Sequence, residues 1–171
     1  MKIAAHLISW VFLPLFMPVY GLLITMYTPS YQNSALNEDS LFFLSDGSKT
    51  AILYMFLIFS VIAPGISFIV LRKKNIISTI DMENQKERNI PMFIMLSYCL
   101  LLYFLFIVKA PNNILPKYIY ALPLSGVFVT VIYTYINRWI KISLHGGGAG
   151  ILTGFIFAYV FEQTLFEFWI L

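Results

Sequence analysis

The segment MFIMLSYCLLLYFLFIV, residues 92–108, contains no charged side chain, and neither does YIYALPLSGVFVTVIYTYI, residues 118–136. A helix of roughly 20 apolar residues crosses the hydrocarbon core of a bilayer, where every backbone N–H and C=O must be satisfied inside the segment itself. Two further spans have the same character, one from about Leu7 to Tyr27 and one from Ala51 to Leu71. A fifth follows His145, starts in a glycine cluster, continues through Ile151 to Phe161 and meets Glu162 and Gln163. Those two side chains are too polar to face lipid at mid-membrane, so the fifth span is expected to end there. The remaining TLFEFWIL then reads as the opening of a sixth helix in a chain truncated relative to its relatives; one long tilted fifth helix is the alternative.

Composition agrees with the pattern. Hydrophobic residues make up 60% and charged residues 11% of the 171-residue chain, against roughly 45–50% and about 25% in soluble domains. The net charge of +3 offers no nucleic-acid surface, and the partner solvent is membrane lipid. A single cysteine, Cys99, excludes an intrachain disulfide or a zinc cluster, and no cofactor is implied. Lys2 and the apolar stretch after it resemble the start of a signal peptide, but Pro14 and Pro18 interrupt the stretch and no small-x-small cleavage site follows. The expected fold is therefore all-α, a polytopic membrane helix bundle forming one domain over residues 1–171. Pro14, Pro18 and Pro64 inside the first two spans bend helices, and neighbouring helices must cover the backbone they free.

The polar residues collect in the connections. The first carries Glu38, Asp39 and Asp46 against Lys49, and the third holds only Lys109 and Lys117 at its ends. The second carries Arg72, Lys73, Lys74, Lys86 and Arg88, and the fourth Arg138 and Lys141. Connections two and four share one side of the bilayer in an up-and-down bundle. The positive-inside rule puts that side in the cytoplasm, although basic residues kept to bind phosphate bias the same count.

Two constellations on that side carry chemistry. In connection two, Asp81, Asn84, Gln85 and Arg88 stand at helical spacing ahead of Pro91, while Glu83, Lys86 and Glu87 fall on other faces. Such a wall presents Arg88 and Lys86 to an anionic headgroup; it is equally an amphipathic loop helix whose charges pair with one another. In connection four, Arg138, Lys141 and His145 recur at i, i+3 and i+7, a single helical face leading through Ser143 into Gly146, Gly147, Gly148, Ala149 and Gly150. Histidine gives a proton to a leaving oxygen near neutral pH, cations beside it hold a phosphate dianion, and a glycine-rich helix start exposes N–H groups to an anion. The competing reading is that the small residues serve close helix packing in lipid and that Lys141 snorkels to the headgroups. His6, the other histidine, suits an interfacial role at the start of the first span.

In this order and separation, DMENQKERNIP and WIKISLHGGGAGILTG, with ISWVFLPLFMPVYGLL as first helix, resemble a divergent branch of the type 2 phosphatidic acid phosphatase superfamily found in small bacterial membrane proteins. The resemblance extends over essentially the whole chain. It implies a bacterial inner-membrane location and a substrate that is a lipid phosphate or polyprenyl pyrophosphate. The superfamily pattern is Lys, six residues, Arg-Pro; then Pro-Ser-Gly-His; then Ser-Arg, five residues, His, three residues, Asp. Carried over, Arg88 is the first-motif arginine, Ser143 the second-motif serine and His145 the acid that protonates the departing alcohol, with Lys86, Arg138 and Lys141 as further phosphate-binding cations.

The departures weigh as much. Asp81 stands where the lysine belongs, Pro91 is displaced from the arginine, and Leu144 replaces the glycine before the histidine. No histidine follows His145, so the third motif, which supplies the nucleophile, is missing. A phosphatase-like protein inactive as this chain is expected, with a non-enzymatic binder of anionic headgroups or of a protein partner as the alternative and homo-oligomers compatible with either. A prenyltransferase-like reading of Asp81 and Glu83 fails for want of a second acidic cluster in connection four to hold magnesium.

Overall fold

The computed structural model describes residues 13–29, 40–78, 85–109, 115–140 and 142–162. The described residues are helical and contain no strand. A 3-10 turn at Pro14–Phe16 leads into α1, Met17–Tyr27. Four helices long and apolar enough to span a membrane follow: α2 (Asp46–Lys73), α3 (Asn89–Lys109, led by a 3-10 turn at Gln85–Arg88), α4 (Lys117–Ile136) and α5 (Leu144–Glu162). This is a multi-pass membrane helix bundle. Glu162 lies in α5, and where that helix ends falls outside the described residues. His6, the residues of the expected sixth helix, Asp81, Glu83 and Asn84 fall outside the described residues.

The prolines occupy places that differ from simple mid-span bends. Pro14 opens the 3-10 turn and Pro18 lies in the first turn of α1, where the missing N–H has no intrahelical acceptor to lose. Pro64 does distort its helix: α2 widens to a π-helical stretch at Leu57–Ile62, and Ala63 N–H bonds Ile58 O five residues back. A proline four residues after Ser60 cannot bond the Ser60 carbonyl and its ring crowds it, which one wide turn relieves. The Ser60 hydroxyl turns back to Phe56 O.

Packing follows a seven-residue step. Down the antiparallel pair α3 and α4, Thr134 Oγ1 meets Met92 Sδ at 3.6 Å, a Cβ on Gly126 would lie 2.8 Å from Cys99 Sγ, and the Phe106 and Tyr120 rings sit 6.3 Å apart. Met92, Cys99 and Phe106 repeat every two helical turns, so one stripe of α3 faces α4 along its length. The parallel pair α1 and α5 repeats the step, Pro14 against Gly148 and Gly21 against Phe155. In lipid, helices gain by van der Waals contact rather than by escaping water, and a glycine at three of these contacts, Gly126, Gly148 and Gly21, brings the helices close. Gly126 is such a contact, because any side chain there collides with Cys99.

Two buried clusters result. The larger joins Leu22, Met26, Leu41, Phe56, Phe106, Ile119, Leu122 and Tyr159 toward the end that carries connections one and three. The smaller, Phe68, Leu71 and Ile77 with Leu15, Ile94, Met95 and Leu144 against it, lies under connections two and four. Outward, Phe93, Phe104, Val108, Phe128, Phe157 and Phe161 stand exposed, an apolar girdle suited to acyl chains and not to water.

Candidate functional site

Connection two begins with a sharp stop. Asn75 takes a positive φ of 56°, its N–H bonds Arg72 O and the Ile76 N–H bonds Leu71 O, each at 3.0 Å, closing α2 in a Schellman turn that sends Ile77 into the smaller cluster. Glu87 then holds Ser78, its Oε2 accepting from the backbone N–H at 2.6 Å and from the hydroxyl at 2.9 Å. With Glu87 turned to that task, the other side of the 3-10 turn is left to Gln85 and Arg88, which eclipse at i and i+3. Gln85 is half-buried and Arg88 is only 5% exposed.

Connection four corrects the sequence expectation. The helical face through Arg138, Lys141 and His145 does not exist, because α4 ends at Ile136, residues 137–140 form turns and a bend, and a new helix starts at Leu144. The last turn closes through Asn137 N–H to Tyr133 O at 2.8 Å and Ile140 N–H to Ile136 O at 3.1 Å. Ser143 is the cap of the new helix, its Oγ accepting from Gly146 N–H at 3.2 Å. A break of this kind resets the angular count, so spacing on one side of it says nothing about the other.

The two connections are bonded to each other. The Gln85 side-chain amide donates to Asn137 O, and the Asn137 Nδ2 donates back to Gln85 O at 3.0 Å. Arg88 Nη1 donates to Ile142 O, one residue before the Ser143 cap. A guanidinium is weakly hydrated and planar, which suits it to a buried carbonyl better than an ammonium. Arg88 is therefore clamped to the peptide that leads into Ser143 and His145.

Of the residues singled out from sequence, Arg88, Ser143 and His145 converge on this junction. Ser143 is exposed and His145 half-buried in the first turn of α5. Lys86 is exposed on the same 3-10 turn as Arg88. Arg138 departs from the group, its guanidinium lying over the Tyr135 ring at 5.9 Å on the outer face beside Trp139. Lys141 lies outside the described residues. Among the described residues no cluster of three or more His, Cys, Asp or Glu is placed to hold a metal ion.

Two participants were not singled out. Asn137 is 3% exposed and bonds connection two through both its side chain and its backbone. Its only sequence signal is an amide directly after the last apolar residue of a span. Tyr133 is the other: a Cβ on Gly147 would overlap its phenol, so the glycine lets the tyrosine close over the first turn of α5. Gly147 and Gly148 thus serve packing, as one of the two sequence readings held. Comparison of the chain with family models, with curated proteins and with solved structures returns no match.

Proposed function

We propose that this membrane protein is phosphatase-like in organisation and holds a phosphorylated lipid headgroup, a phosphomonoester or diphosphate, at the end formed by connections two and four. The observation that carries the reading is the bond from Arg88 to Ile142 O, which brings the basic turn of connection two against the segment bearing Ser143 and His145. Phosphate recognition rests on fixed cations and donors, and phosphoryl transfer on the same groups placed beside a proton donor and a nucleophile. Here Lys86, Arg88 and Lys141 supply charge, the Ser143 hydroxyl a further donor, and His145 the proton for a departing alcohol. The resemblance to the type 2 phosphatidic acid phosphatase superfamily assigns Arg88, Ser143 and His145 the same roles.

The 171-residue chain is expected to bind such a headgroup without hydrolysing it, since no histidine follows His145 to act as nucleophile. The positive-inside rule would turn this end to the cytoplasm, and the resemblance implies a bacterial inner membrane. The test uses the full chain in phosphatidylcholine nanodiscs, titrated with short-chain phosphatidic acid and, separately, short-chain phosphatidylcholine. Selective binding of phosphatidic acid, weakened at least about fivefold by His145→Ala combined with Lys141→Ala, is the expected result. Equal affinity for the two lipids would overturn the reading. Sustained phosphate release that His145→Ala abolishes would instead make the chain an enzyme.

A further inference from the structure

Gln85 and Asn137 present a problem of stability. Asn137 is buried, its Nδ2 is bonded to Gln85 O, and its Oδ1 has no hydrogen-bond partner among the described residues. A buried amide whose acceptor lacks a protein partner gains less stability than its full complement of bonds would give. Its presence therefore calls for a reason other than stability, and the reciprocal geometry supplies one. Each side chain bonds the other residue's backbone, so the pair fixes the end of α4 against the turn that carries Arg88.

We propose that Gln85 and Asn137 are positioning residues that set connection four at the height where Ile142 meets Arg88, so that the start of α5 is presented to the headgroup. The inference rests on the headgroup reading and deepens it. Arg88 has a long side chain and reaches a backbone carbonyl five residues after Asn137; without the amide pair, that carbonyl can shift while the guanidinium follows it out of register. Because either amide bond alone still ties Asn137 to Gln85, losing one leaves a partial tie, and losing both leaves the Arg88 bond to Ile142 O without that support. The signature is thus a coupling between the two residues in affinity, without a matching loss of stability.

The experiment compares Gln85→Met, Asn137→Leu and the double variant with the wild-type full chain in phosphatidylcholine nanodiscs, titrated with short-chain phosphatidic acid, alongside thermal unfolding of each. Each single change is expected to weaken binding about threefold and the double change about thirtyfold, more than the product of the singles. Asn137→Leu loses the bond to Gln85 O and also removes the unpartnered Oδ1, so the unfolding midpoint is expected to stay near that of wild type while affinity falls, which a merely structural residue would not do. Should the double variant fail to fold, amide exchange decides on Gln85→Met alone: exchange at residues 143–147 rises while the body of α4 stays protected. Binding within twofold of wild type in all folded variants, or losses of affinity that only track losses of stability, would overturn the inference. A wild-type chain that does not prefer phosphatidic acid would remove the headgroup reading and this inference with it, whereas wild-type preference with silent variants removes the inference alone.

Discussion

The two ends of the bundle are held together by different physics. At the end with connections one and three, the Phe56 and Phe106 rings pack at a tilt with centroids 5.5 Å apart, and Tyr118 and Tyr159 meet edge to face at 5.2 Å. The polar ties at that end include the Leu41 N–H donating to the Tyr118 hydroxyl at 2.9 Å. At the other end the buried apolar cluster is small, and amide, guanidinium and carboxylate side chains carry the connections. Apolar contacts add up without direction, whereas hydrogen bonds fix distance and angle. The first end is built to hold the helices together, and the second to keep a few polar groups in register. That division suits the headgroup site proposed above.

The comparison breaks most visibly at the apolar end. Phe106→Ala removes a fully buried ring from the larger cluster and is expected to lower stability by about 3–5 kcal/mol, measured by unfolding in mixed micelles. If the folded fraction of that variant keeps wild-type preference for phosphatidic acid, the two ends are energetically separate, as drawn. Gly147→Val is next. Its Cβ would overlap the Tyr133 hydroxyl, and forcing α4 and α5 apart is expected to cost about 1–3 kcal/mol and to abolish headgroup preference. A variant as stable as wild type would show that Tyr133 has room to swing away.

Ser143→Ala sharpens the polar end by removing the cap of α5. A loss of about 1 kcal/mol is expected, with faster amide exchange confined to the first turn of α5. The smallest effect belongs to Arg138→Ala. Its guanidinium is exposed over Tyr135, so stability should change by less than about 0.5 kcal/mol and the affinity for phosphatidic acid by less than about twofold. A tenfold loss of affinity would return Arg138 to the candidate site.

The spans were legible because lipid makes a single strong demand. Residues 118–136 were delimited from sequence and α4 is Lys117–Ile136; residues 92–108 were delimited and α3 ends at Lys109. Pairing connections two and four on one side followed from counting spans, and the bonds from Gln85 to Asn137 and from Arg88 to Ile142 accord with it. Helical spacing does not run from Arg138 to His145, because α4 ends at Ile136 and the next helix starts at Leu144. RWIKISL has no proline or glycine to mark the break, only Ser143 as an N-cap residue type, and Asn137 after the last turn of α4 bonds Gln85. The inward turn of Arg88 was equally hidden, because a cation in a loop reads as solvated until a buried carbonyl appears beside it.

By itself the sequence determined that this chain is a multi-pass bundle of apolar helices and which connections share a side, since transfer of apolar surface into lipid depends on composition and length, both local properties. Only the tertiary structure decided which polar groups meet. The partners of Gln85 and Arg88 lie 52 and 54 residues away along the chain, and a hydrogen bond exists only when both ends are brought within about 3 Å.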